Sequence, residues 1–377
     1  MEYKPIILIT DIFERKTFDV YNILKKSYCK NSIVLFLASS SNLLEKKTAK
    51  ILYPSNNIYF SSTELDYDFE EFAKKYHGHK IVFFPIEEST IESFIIQKNK
   101  SHIIENNFNY LLPSLKTFSL VRNKKMLTEF CDKINFPIPK YYSEKQIKNN
   151  RFKYPLIIKP AIGSGSRGIT HINSQKDNFK IPKSLKGYII QEKIPNSSKV
   201  EACFVICKSG KIIQSYTHKR LLTFPKQGGV TLFSKLTDNQ KIKSLSKDFV
   251  KQLNLEGLIM LEFLYCCKSD EYKLIEVNPR IWGSILLSDQ LKNKFLKNYA
   301  EAAIGSIKNF NLKRELLKNN YIMWIFPYAF LFFLKNLLNH KKYKIYYVNI
   351  TNTSFLTSFI FHLFIYSSKF FSRLCKR

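Results

Sequence analysis

The stretch Tyr272-Lys-Leu-Ile-Glu-Val-Asn-Pro-Arg280, read with Gly257-Leu-Ile-Met-Leu-Glu-Phe263 just upstream, decides the fold of this chain. Both pieces are apolar, strand-like runs, and Cys266-Cys-Lys-Ser-Asp-Glu271 between them supplies a turn. A turn centred on Ser269 sets Glu262 directly opposite Glu276, and the two-residue period of a strand puts Asn278 on the face of Glu276. Like charges facing each other across a ladder are destabilising. Divalent metal is the simplest reason to keep them, because two carboxylates and an amide oxygen are hard donors suited to Mg²⁺ bridging nucleotide phosphates. Taken alone, the hairpin also fits a solvated strand pair carrying chance acids.

At 377 residues the chain is long enough for two or three subdomains around a sizeable core. Its net charge of +30 would suit nucleic acid or an anionic membrane. Lys is enriched together with Ile, Asn, Phe and Tyr, however, which reads as broad compositional bias with lysines coating the surface. Without an Arg-rich tract, zinc-finger spacing or an aromatic–basic RNA motif, no nucleic-acid partner is expected. A basic pocket for a phosphorylated, acidic ligand accounts for the functional share of the charge. The seven cysteines form no paired framework and lack His or Cys at zinc-ligand spacing, which fits a reducing cytosol. The N-terminal apolar run ending at Thr10 is too short for a signal peptide and reads as a first strand.

Residues 1–113 alternate strand and helix signals: strands at Pro5 to Thr10, Ser32 to Ala38 and Lys80 to Pro85, with helices at Phe18 to Tyr28 and from about Ile91. This is an α/β pattern with parallel pairing. It lacks a Gly-x-Gly-x-x-Gly fingerprint, so a dinucleotide site there is unsupported. Further on, Asn123 to Cys131 reads as a helix. Tyr154-Pro-Leu-Ile-Ile-Lys-Pro160 is a buried strand ending in a lysine, and it runs into the Gly163-Ser-Gly-Ser-Arg-Gly168 loop. Such a loop offers backbone N–H donors to phosphate, with Lys159 as a point charge beside it. Gly187 to Pro195 is a strand with polar residues at its exit, suited to a nucleotide-binding hinge.

In this order and spacing the residues resemble the ATP-grasp superfamily, most closely its carboxylate–amine ligase-like members, over roughly residues 115–305. The resemblance implies an α/β and α+β architecture: a pre-ATP-grasp α/β domain over 1–113, a small subdomain with a glycine-rich lid over 114–187, a large subdomain with a metal site over 188–310, and a helical C-terminal extension over 311–377. It implies that Lys124 and Lys159 reach the ATP phosphates while Gly163, Ser164, Gly165, Ser166 and Gly168 close over them. Glu192, Lys193 and Ile194 are expected to meet adenine, largely through backbone, and Glu201 the ribose hydroxyls. Glu262, Glu276 and Asn278 are expected to hold two Mg²⁺ ions, with Mn²⁺ as a substitute, and Arg280 to pair with the transferred phosphoryl group or acyl phosphate. Asn123 stands where an Asp often precedes the first lysine, which leaves Lys125 as the alternative to Lys124.

In Ser215 to Gly229, Arg220 is the candidate for binding a substrate carboxylate or the γ-phosphate, since a guanidinium offers a bidentate fork. His218 reads as a hydrogen-bonded structural residue. The implied chemistry is phosphorylation of a small-molecule carboxylate, then capture by an amine to give an amide, ADP and phosphate. Carbamoyl-phosphate-type carboxylate phosphorylation, or a non-catalytic ATP-binding protein recruited to a membrane, are the alternatives. Related ligases often dimerise, and the expected compartment is cytoplasmic.

Two aromatic runs near the C-terminus, Tyr321 to Leu334 and Ser354 to Tyr366, are shorter than the roughly 20 residues needed to span a bilayer. Lysines and arginines flank both. They read as helices packed on the core, with peripheral membrane contact as the alternative.

Overall fold

The computed structural model describes residues 5–53, 57–163, 165–177, 184–194, 200–224, 229–290, 294–306, 321–324 and 345–348. The first sheet holds β1 (Ile6–Ile9), β2 (Ile33–Leu37), β3 (Ile58–Phe60), β4 (Ile81–Phe84) and β5 (Phe108–Asn109), all parallel, in the order β3-β2-β1-β4-β5. Strands β1, β2 and β4 are apolar at every position because helices or a second sheet cover both faces. The helix expected at Phe18 to Tyr28 runs Arg15–Leu24, one turn earlier.

A three-stranded antiparallel sheet follows, with β6 (Leu156–Pro160) between β7 (Thr170–Ile172) and β8 (Tyr188–Glu192). The sequence boundary between residues 187 and 188 therefore falls inside this sheet. β8 pairs with β6 along its whole length, so the smaller unit extends to Glu192. The largest sheet contains β9 (Val200–Lys208), β10 (Lys211–Phe224), β11 (Val230–Thr237), β12 (Gly257–Cys266), β13 (Glu271–Asn278), β14 (Tyr321–Trp324) and β15 (Ile345–Val348), in the order β13-β12-β9-β10-β11-β14-β15.

The C-terminal expectation needs correction. Tyr321–Trp324, read as the start of an apolar helix, is a strand antiparallel to β11 and parallel to β15. A run of β-prone aromatic and branched residues meets the open edge of β11, where each backbone group gains a ladder partner. Tyr321 stacks on Phe233 at 5.7 Å. The second aromatic run, 354–366, lies outside the described residues. Among the described residues, no helix is long and apolar enough to cross a membrane.

Alternation along β9 and β12 divides the large sheet. Cys203, Val205, Ile259, Leu261 and Phe263 pack beneath it with Ile242, Phe249 and Leu127. Ala202, Phe204, Leu258 and Met260 face the other way and share one core with Ile7, Leu35, Val82 and Phe84 of the first sheet. The two units are therefore packed directly together. Lys16 Nζ, buried between them, donates to the carbonyl oxygens of Ile86 and Ile281 and pairs with Glu87 at 2.8 Å.

Asp19, on the helix Arg15–Leu24, is buried with Oδ2 lacking a hydrogen-bond partner. Burial, opposed by Arg15, pushes its carboxyl up to about 7 from 3.8. The folded state holds this proton more tightly than the unfolded chain, so stability falls as pH rises between those values and is level above. Asp19→Asn should accordingly stabilise the protein by about 1–3 kcal/mol at pH 8 and by almost nothing near pH 4. Denaturant titrations at the two pH values check this, and equal effects at both would dismiss the carboxyl as the source.

Candidate active site

The site is built on the β12–β13 hairpin. Glu262 is directly opposed to Glu276, and Met260 to Asn278. The register has a cause that alternation alone does not reveal. Near the turn Cys266 pairs with Glu271 and Phe263 with Leu274, so the turn centre lies half a residue before Ser269. A register shift between Glu262 and Phe263 leaves Ile275 as an extra residue on β13 and restores the acid-to-acid pairing. The same bulge turns Lys273, opposite Leu264, onto the face of Glu262 and Glu276.

Cations surround the acids. Lys124 Nζ lies 3.2 Å from Glu276 and donates to the Gly163 carbonyl at 2.7 Å. Arg220, two residues beyond the row His218–Ala202–Glu262, reaches diagonally from β10 across β9 to pair with Glu262. Burial holds the Glu262 carboxyl above its usual range, Arg220 opposes that shift, and the charge of Glu276 adds to it. Lys159, buried near the end of β6, is lowered to about 8, mainly by burial. Glu276 and Glu262 pull it back up while Lys124 pushes it down, so both lysines and both acids share one electrostatic environment. Lys124 rather than Lys125 thus points at the acids. Asn123 caps the helix Lys124–Lys133, its side chain accepting from the N–H groups of Lys125 and Met126, so an amide does the work an Asp would do there.

Arg280 is held from the first unit. Its Nε donates to Glu88 at 3.0 Å, one nitrogen donates to Asn278 Oδ1 at 3.2 Å, and another to the Ile281 carbonyl. Glu88 also meets Arg122 at 3.5 Å. In the loop after β6, Gly165 and Gly168 adopt φ of +65° and +73°. A Cβ on Gly168 would come within 2.9 Å of the Pro160 ring, so only glycine fits that turn. Ser166 Oγ accepts from Gly229 N–H at 2.9 Å, which ties this loop to the one after β10. Ser164 lies outside the described residues.

At the hinge, Lys273 Nζ pairs with Glu192 at 2.9 Å. The N–H groups of Glu192 and Lys193 donate to the carbonyls of Lys140 and Pro155. Lys193 Nζ donates to Asn173 Oδ1. Those two N–H groups are therefore already used within the fold, and Ile194 beside them is buried.

Glu201 departs from expectation. Ala202 is the residue aligned with Glu262, whereas Glu201 aligns with Phe263 and Lys219, so alternation turns its carboxylate to the opposite face of the sheet. There it is bound by Lys219 at 3.1 Å, Asn239 at 3.0 Å and the Tyr272 hydroxyl. His218 is also unlike its expectation: it is buried, and neither ring nitrogen has a hydrogen-bond partner among the described residues. Burial and the neighbouring Arg220 hold it far below its ordinary range. Sequence reasoning missed Lys273, whose parity is hidden by the bulge, and Glu88, which belongs to a different unit.

Among the described residues no three His, Cys, Asp or Glu side chains cluster into a metal cage. Two carboxylates and one amide oxygen suit instead a Mg²⁺ ion that keeps water and phosphate oxygens in its remaining positions.

Comparisons with known proteins identify the fold that carries these residues. A family model described as an ATP-grasp domain matches residues 121–284. The chain is 23% identical over 228 residues to the carbamoyl phosphate synthase large chain of Methanobrevibacter smithii, and 24% identical over 231 residues to that of Thermoanaerobacter pseudethanolicus. Each match covers 55% of this chain and 21% of the relative, so the chain spans about a fifth of the length of these relatives. Among solved structures, a biotin carboxylase from Campylobacter jejuni aligns with a TM-score of 0.60 and 15% identity, over 81% of this chain and 72% of that one. An L-amino acid ligase from Bacillus licheniformis aligns at 0.54 and 13%, over 81% and 75%. The chain carries an ATP-grasp domain over residues 121–284.

Proposed function

We propose that this protein is an ATP-dependent ligase that phosphorylates a small carboxylate and couples the acyl phosphate to an amine. The observation that carries this reading is the opposed Glu262–Glu276 pair, with Lys124 3.2 Å from one acid and Arg220 paired to the other. Lys124 and Lys159 bind the ATP phosphates from two sides, and the Gly163–Gly168 loop closes over them and excludes water. Glu262, Glu276 and Asn278 hold Mg²⁺, which supplies neutralisation of the phosphate charge when bound. The substrate carboxylate oxygen attacks the γ-phosphorus as the bond to ADP breaks, with Arg280 stabilising the transferring group. The amine nitrogen then attacks the acyl carbon, phosphate leaves, and the nitrogen gives up its proton.

A second reading is carboxylate phosphorylation of the carbamoyl-phosphate type, without an amide product. It is favoured by the names of the curated relatives, both of them carbamoyl phosphate synthase large chains. Release of ADP and phosphate only when a carboxylate and an amine are supplied together supports the ligase; release of ADP with the carboxylate alone, the phosphoryl group remaining on an acyl phosphate, supports the second reading.

Three outcomes are expected. Glu276→Gln should lower Mg·ATP turnover by about 100-fold or more, with an unchanged circular-dichroism spectrum; undiminished turnover would remove the metal assignment. Because Lys159 must be protonated to meet phosphate, kcat/KM for ATP should fall as pH rises through about 8, and Lys159→Arg should move that fall upward. Glu201→Gln should leave the KM for ATP within about twofold, since its carboxylate faces away from the acid pair; a large rise would return Glu201 to the ribose.

A further inference from the structure

Next to the acid pair, three side chains on one face of β10 and β11 carry polar atoms with no hydrogen-bond partner among the described residues. These atoms are both ring nitrogens of His218, Nε of Arg220 and Oγ of Ser234. Arg220 and Ser234 are directly opposed across the β10–β11 ladder, and His218 lies two residues along β10 on the same face. His218 and Ser234 are only 1% and 0% exposed. Only Ala202 separates His218 from Glu262 in the row across β9. Buried polar groups are nearly always satisfied, so three unsatisfied side chains converging beside a reaction centre call for a polar occupant.

We propose that Arg220, His218 and Ser234 form a subsite for a substrate carboxylate, and that this subsite opens only once Mg-nucleotide has engaged Glu262. In the structure a terminal nitrogen of Arg220 is committed to Glu262. When Glu262 turns to Mg²⁺, that partnership ends and the guanidinium is left to be matched by another anion. Arg220, Ser234 and one nitrogen of His218 can each donate to carboxylate oxygens. His218 stays neutral, so the group carries a single positive charge. A carboxylate balances that charge, whereas a phosphate dianion would exceed it. The order of binding follows: nucleotide first, carboxylate second.

The proposal rests on the ligase reading for its nucleotide, and one experiment separates the two. The melting temperature of the full chain is measured with acetate or bicarbonate, with and without MgADP, against chloride at equal ionic strength. The expected result is a rise with acetate or bicarbonate only when MgADP is present, and a weaker response to inorganic phosphate. A response to both anions, or to acetate alone, identifies a carboxylic acid; a response to bicarbonate alone identifies the carbonate acid. Ser234→Ala removes a hydroxyl with no partner, so it should keep the melting temperature and the MgADP shift. It should raise the half-saturating anion concentration about tenfold. Equal anion responses with and without MgADP, or in wild type and Ser234→Ala, overturn the subsite alone. No shift with MgADP overturns the nucleotide reading and the gated subsite together.

Discussion

Two carboxylates forced to face each other across one ladder set the terms for the rest of this molecule. Glu262 is buried and Glu276 is partly so, which makes their repulsion expensive in a low-dielectric setting. The fold answers from three directions. Lys124 comes from a helix start, Lys159 from the end of a strand in the smaller sheet, and Arg220 from two strands away in the larger one. Removing any one of these cations would leave a buried negative charge less well matched. The arrangement is costly as stability and sensible as a phosphate site, where charge is meant to be exchanged.

The first unit takes part in this arrangement through Arg280. That side chain is fixed by Glu88, which follows β4, and the chain after it is pinned by Ile281 N–H donating to the Pro85 carbonyl at 2.8 Å. Arg15 donates to the Gly283 carbonyl and Lys16 to the Ile281 carbonyl. The carboxyl-terminal end of the parallel sheet therefore positions the loop that leaves the hairpin of Glu262 and Glu276. This is where open α/β sheets commonly present functional groups.

Much of this was legible in the sequence because it rests on local rules. Apolar runs flanking a turn gave the hairpin; counting from Ser269 also opposed Glu262 to Glu276, although the turn centre lies half a residue earlier and the bulge at Ile275 is what restores that pairing. Lys159 and the glycine loop were visible as a strand end followed by φ-permissive residues. What escaped depends on events that counting does not register. A bulge at Ile275 changes the parity of Lys273, and strict alternation turns Glu201 away although its position along the chain looked right. Glu88 could not be connected to Arg280 because their proximity arises only when two units pack. The C-terminal strand was misread because an aromatic run has no fixed preference until it meets an open sheet edge.

That edge has a bearing on how the chain can be trimmed. Strand β14 covers the outer side of β11, and β15 in turn covers β14. A chain ending before Tyr321 would bare a row of β11 N–H and C=O groups ready to pair with any passing strand. Self-association of a shortened protein would then report on lost backbone pairing, whatever the discarded tail does elsewhere.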